Sequence, residues 1–182
     1  MRRAALLYCI DIDVPRFKVL RAREQFPIVV GMNDDAESRG ANYTLDDAFR
    51  MRVTLDMIGD GEGNAPALAP SIASSVVVSL MGQFCVKGRH PLDILAPQDL
   101  WGGVVVFEDQ SADPIPRYDQ SFAGDLSDIP SYIADFLLRW PEHKTVPVRL
   151  IMVNVSRAAR FVRQRAADLG IPESLESYPD WN

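Results

Sequence analysis

The sharpest local constraint in this chain is Thr44-Leu45-Asp46-Asp47, within the stretch from Arg39 to Ile58. Thr44 with Asp47 three residues on forms a helix N-cap and its reciprocal partner, and Asp46 and Asp47 set negative charge against the free N–H groups of a first turn. Leu45, Ala48, Phe49, Val53 and Met57 recur at three- and four-residue spacing, which predicts a helix ending near Ile58, before Gly59-Asp60-Gly61-Glu62-Gly63. An apolar face of this kind has to be buried, so the rest of the chain must supply something to cover it.

The chain has 182 residues, 47% of them hydrophobic and 24% charged, which is ordinary for a globular protein of one domain or two small ones. An apolar run of about 18 residues, the length needed to span a membrane, is absent. The opening residues Arg2-Arg3-Ala4-Ala5-Leu6-Leu7-Tyr8-Cys9-Ile10 reach Asp11 too soon for a signal peptide, so a cytoplasmic location is expected. Cys9 and Cys85 lie far apart, with no CxxC spacing, and read as buried free thiols. The net charge of −6 argues against coating nucleic acid by bulk charge. Residues 1–52, with nine Lys and Arg against eight Asp and Glu, carry +1, and the acid is concentrated after them.

Arg3 to Ile10 reads as a short helix, and Asp11-Ile12-Asp13 as a tight turn whose second Asp caps a helix from Val14 to Arg23. Pro15 suits the first turn of that helix, with Phe17 and Leu20 inward, Val14 as a third candidate for that side, and Arg16, Lys18, Arg21 and Arg23 outward. Two short helices about a tight turn predict a helix-turn-helix. Phe26-Pro27-Ile28-Val29-Val30 reads as an extended exit, and Gly31 to Gly40 as the loop of a hairpin wing leading to Tyr43 and the capped helix.

In this order and spacing, residues from Ala5 to about Phe84 resemble the winged-helix DNA-binding domain of MerR-type regulators. The resemblance rests on Asp13-Val14 at the start of the second helix, Phe26-Pro27 at its exit, Arg39 and Tyr43-Thr44 at the end of the wing, and Asp46-Asp47 with Arg50 and Arg52 after it. It implies a winged helix-turn-helix that binds double-stranded DNA and regulates transcription. The chain departs from the family where Asp11 replaces the turn glycine, where Glu24 or Gln25 replaces the glycine before the exit, and where Lys18-Val19-Leu20 stands for Arg-Tyr-Tyr. The family's long dimerisation helix has no counterpart, which leaves the C-terminal module open to three roles: forming a homodimer, sensing, or binding another protein.

Ala67 to Phe84 is apolar almost all round, which predicts a buried helix beside the capped one, although the β-branched run Val76-Val77-Val78 also allows a strand. Turn formers at Val86 to Pro91 place a domain boundary there, giving a winged helix-turn-helix over residues 1–87 and a small α/β module over 88–182. In the module, Leu100 to Phe107 reads as a strand, Glu108 to Pro116 as a polar loop, and Ser131 to Arg139 as a helix capped by Ser127-Asp128. Thr145 to Val155 reads as the strongest strand, and Arg157 to Leu169 as a helix capped by Ser156 and stopped at Gly170. Two strands bury little, so further pairing within 110–126 or with another subunit is expected. The fold class is therefore α+β.

Four basic residues in eight are ordinarily a solvated helix face; their setting in a helix-turn-helix favours DNA. Arg16, Lys18, Arg21 and Arg23 then reach phosphates, and the arginines guanine edges, in the major groove. Arg39 is expected on backbone or minor groove, and Tyr43 either there or in the core. Of Arg50 and Arg52, too close to share a helix face, one is expected to touch phosphate and the other to form a salt bridge. Asp60 to Asn64 lacks the terminal Glu of a calcium loop, Gly59 to Gly63 lacks the Lys-Ser/Thr of a phosphate loop, and His90 and His143 stand apart from other ligands. Hence no metal, cofactor or catalytic group is expected. The four arginines between Arg157 and Arg165 read as the cationic solvent side of an amphipathic helix. The competing expectation is a protein–protein interaction or assembly module that keeps the fold without binding DNA, which the charge of −6 suits. No effector is indicated.

Overall fold

A computed structural model of the chain describes residues 1–27, 43–59, 68–92, 99–139 and 144–171. The fold is α+β: α1 (Arg3–Ile10), α2 (Val14–Ala22), α3 (Leu45–Ile58), α4 (Pro70–Val86), β1 (Leu100–Asp109), β2 (Arg117–Asp125), α5 (Ile129–Leu138), β3 (Thr145–Asn154) and α6 (Val155–Asp168). Two compact units divide it, one taking Met1–Val77 with Arg157–Asn182 and the other Val78–Ser156. The division thus falls inside α4 and inside α6, not at the boundary expected near residue 87. The reason is that both helices continue unbroken through the point of division, so turn formers after Val86 end a helix without ending a unit.

In the first unit α3 starts as its sequence dictates. The Asp47 amide donates to Thr44 Oγ1 at 3.0 Å and the Thr44 amide to Asp47 Oδ2 at 2.7 Å, a complete capping box. Ala48, Phe49, Val53 and Met57 are fully buried, as are Leu6, Cys9 and Ile10 of α1, while Phe17 and Leu20 of α2 are nearly so. Phe17 also meets Phe26 with ring centroids 5.6 Å apart. Burial pushes the Cys9 thiol up, an effect partly opposed by the charge of Arg165. Cys85, expected to be buried, is exposed.

Residues 70–86 are helical, which settles the helix-or-strand alternative at Val76-Val77-Val78. Burial is confined to one stripe, however: Ala73, Val77, Leu80 and Phe84 are wholly covered, whereas Ile72 and Val78 are 41% and 50% exposed. Ser71, Ser75 and Ser79 share the outer side, so the helix is amphipathic rather than buried all round.

The second unit is a three-stranded antiparallel sheet in the order β2-β1-β3. Central β1 is apolar from Leu100 to Phe107, where both faces are covered. On one face, Gly102 lies so close to Leu80 of α4 that an added Cβ would come within 2.6 Å of it. On the other, Val105 and Phe107 join Phe122, Ile129 and Phe136 in a core, with Phe107 and Phe136 stacked at 4.1 Å. Strand β2, Arg117–Asp125, supplies the pairing that the sequence places only loosely within 110–126. β1 runs to Asp109, shortening the polar loop expected from Glu108. Ser156, expected as a helix cap, lies inside α6 and its Oγ accepts from the Leu100 amide at 2.9 Å, fastening that helix start to β1. Val155, Ala159, Val162 and Ala166 are buried as expected, while Leu169 is exposed beyond the end of α6.

Candidate nucleic-acid interface

The turn between α1 and α2 is built on Asp11, which takes a left-handed conformation at φ 59°, ψ 56° and sends its amide back to the last turn of α1. Ile12 closes the same turn on Leu7 O at 3.2 Å. Asp13 caps α2, accepting from the Arg16 amide at 2.7 Å, and Pro15 occupies the first turn where its missing N–H leaves nothing unpaired. Beyond α2, Glu24 is again left-handed at φ 53°, and the amides of Glu24 and Gln25 return to Arg21 O and Leu20 O at 2.9 and 2.8 Å. This is the reciprocal closure that ends a helix sharply.

The outer side of α2 carries Lys18, Val19, Ala22 and, at its end, Arg23, all exposed, with Arg21 half-buried at the margin. Val14 and Val19 are 44% and 48% exposed and put an apolar element into this basic face. Lys18 and Arg23 are thus exposed on α2 and its end, whereas Arg21 is only partly so.

The other predicted contacts have different places. Arg16 turns away, its Nη2 donating to Gly59 O at 3.1 Å, because the last carbonyls of α3 lack helical partners and attract a cation. Tyr43 is 2% exposed; its backbone is paired with Met1 at both amide and carbonyl, and its ring belongs to the core, one of the two places allowed for it. Arg50 is ion-paired with Asp46 one turn earlier at 2.5 Å. Burial raises the Asp46 carboxyl, and the Arg50 charge and hydrogen bond offset that in part. Arg52 pairs with Asp56 at 2.5 Å and also donates to Ile10 O at 3.2 Å, so both arginines of this helix are tied down, rather than one reaching outward. Arg39 and the wing expected between Gly31 and Gly40 lie outside the described residues, as does His143.

The sequence reads Arg165 as part of a cationic solvent side and assigns Phe161 no role, whereas both have specific partners. Arg165 of α6 donates from Nη1 to Tyr8 O at 2.8 Å and pairs through Nη2 with Asp11 Oδ1 at 3.1 Å. Its guanidinium lies 4.8 Å from the Tyr8 ring centroid and 4.7 Å from that of Phe161, while Arg52 lies 4.6 Å from the Phe161 ring. The signal that could have found them was the spacing of Phe161 and Arg165, four apart on a helix, which places a ring and a guanidinium side by side.

No family model, curated protein or solved structure matches the chain. Among the described residues no cluster of potential metal ligands occurs, and no helix is long and apolar enough to cross a membrane.

Proposed function

We propose that this protein is a sequence-specific double-stranded DNA-binding regulator of transcription, cytoplasmic and of MerR-like type, with α2 as its recognition helix and no enzymatic activity. One observation carries the reading: a short capped helix, entered and left through left-handed residues, presents Lys18, Val19, Ala22 and Arg23 outward with Arg21 beside them. Of the two left-handed positions, Asp11 stands for the turn glycine of the resembled family, and Glu24 is one of the two residues, with Gln25, that stand for the glycine before its exit. The residue types differ while the conformation that glycine favours is kept. Basic side chains on such a helix reach phosphates and guanine edges, and a valine suits a thymine methyl. Arg16 is engaged with Gly59 O, Tyr43 lies in the core and Arg50 pairs with Asp46 within α3, so the proposal assigns none of the three to DNA.

A homodimer through the sheet unit belongs to the same proposal. Edge strand β3 leaves Val146, Val148 and Leu150 41%, 46% and 44% exposed on either side of its bulge, apolar surface along an unpaired edge that suits a second copy. Sedimentation of the full chain and of Leu150→Lys tests this, with the variant expected to be monomeric at concentrations where the parent is not.

The principal test is selection of duplexes from a random double-stranded library, followed by anisotropy titration at several salt concentrations. Binding should weaken linearly with log salt, and Lys18→Ala with Arg23→Ala should reduce the slope by about two, one for each phosphate no longer neutralised. A second reading, a protein-binding module, draws on exposed Val14 and Val19. Failure to select any duplex at low salt would favour that reading.

A further inference from the structure

The basic helix α6 offers a solvated cationic face by its sequence, yet Arg165 has four contacts on or near one turn: Tyr8 O, Asp11 Oδ1, and the rings of Tyr8 and Phe161. Each answers a specific deficiency. Tyr8 O has only a long bond of 3.3 Å from the Asp11 amide, and the negative dipole end of α1 favours a cation. Asp11 sits in a conformation that non-glycine residues adopt at a cost, and its side chain is anchored there by the ion pair. Asp11 is also an acidic group two residues before the cap of α2, so pairing it with a guanidinium lessens the repulsion a nearby phosphate would meet. Arg52 works from α3 in the same sense, donating to Ile10 O and lying over the other neighbour of Arg165, Phe161.

We propose that Arg165 is a positioning residue for DNA recognition, holding the α1–α2 turn in the left-handed form that aims Lys18 and Arg23 at the duplex. The inference rests on the DNA-binding reading of α2 and gives α6 a part in it. A lysine would keep the charge but not the planar group that stacks between two rings while donating to two oxygens.

The test uses the full chain and a duplex selected by the parent protein. Arg165→Ala should bind about tenfold more weakly, with the salt slope unchanged because Arg165 itself is off the DNA. Asp11→Gly added to Arg165→Ala should return affinity to within about twofold of the parent, since glycine takes the left-handed form unaided. Without DNA, amide exchange at Asp11 and Ile12 should accelerate in Arg165→Ala while Val53 in α3 keeps its protection. Equal binding by parent and Arg165→Ala overturns the positioning role and leaves the DNA reading intact. So does a salt slope that falls by about one, the signature of a direct phosphate partner, or exchange that rises uniformly as a general loss of stability requires. A parent chain that selects no duplex overturns the DNA reading itself, and the role in recognition falls with it.

Discussion

Arg16 Nη2 donates to the carbonyl oxygen of Gly59 at 3.1 Å, tying the first turn of α2 to the C-terminal end of α3. The bond makes one arginine of the basic helix part of the scaffold and leaves Lys18 and Arg23 as the exposed cations of its outer side, with Arg21 at the margin. Arg16→Met should therefore lower stability by about 1–2 kcal/mol, the worth of a charge-assisted bond in a partly covered site. In a chain of this length that is a fall of roughly 2–8 °C in Tm. Lys18→Ala should leave Tm nearly unchanged, within about 0.5 kcal/mol. Thermal melts of the two variants separate brace from contact without any ligand.

Thr44→Ala removes the oxygen that accepts from the Asp47 amide at 3.0 Å and should cost about 1 kcal/mol. Thr44→Ser should cost distinctly less, since the hydroxyl that caps is kept. Denaturant titration gives the comparison, with equal slopes expected for all three proteins.

Much of this architecture is written locally. The capping box at Thr44, the cap at Asp13, Gly170 after α6 and the apolar run of β1 each act through neighbours in sequence, and each lies where the residues predict. β2 was less legible because RYDQSFAGD offers a strand only when β1 is beside it; Arg117 finds Glu108 at 2.8 Å across the strands, and Phe122 finds a core made by α5. The site was half legible for the same reason. A basic helix can be seen in sequence, but whether Arg16 faces outward or caps Gly59 depends on a residue 43 positions away, and the use of Arg165 on one 157 away. The ends of the two units were hidden because α4 and α6 cross them without any break in helical pattern.

Gly103 and Gly102 provide a contrast in what a single methyl does. A Cβ at Gly103 would lie 2.1 Å from Ile151 O and 2.8 Å from Met152 Cα, both backbone atoms of β3 that cannot yield without parting the strands. At Gly102 the nearest atom, at 2.6 Å, is the end of the Leu80 side chain, which can change rotamer. Gly103→Ala should thus lose about 3 kcal/mol or more, and Gly102→Ala about 1–2 kcal/mol. Far-ultraviolet circular dichroism during urea unfolding should rank them in that order.

Two carboxylates give opposite signs to the dependence of stability on pH. Asp125 is held below the usual carboxylate range, first by hydrogen bonds from Arg89 at 2.9 and 3.1 Å, against some opposition from burial. Its folded value lies below its unfolded value, about 3.9, so its contribution is present above that pH and is lost as pH falls through the folded value. Asp46 is raised, first by burial, so its stabilising form is the protonated one. That contribution is complete below the unfolded value and disappears as pH rises through the folded one. Asp125→Asn should flatten the acid side of a plot of Tm against pH and lower stability at neutral pH by no more than about 1 kcal/mol, as for a partly exposed pair. Asp46→Asn should remove the opposing slope just above the normal carboxylate range. Since burial outweighs the Arg50 charge and hydrogen bond, the ionised form is on balance the disfavoured one, and the neutral-pH Tm of this variant should not fall. Melts at closely spaced pH from neutral to strongly acid check both signs, and identical profiles for the two variants would contradict the opposed shifts.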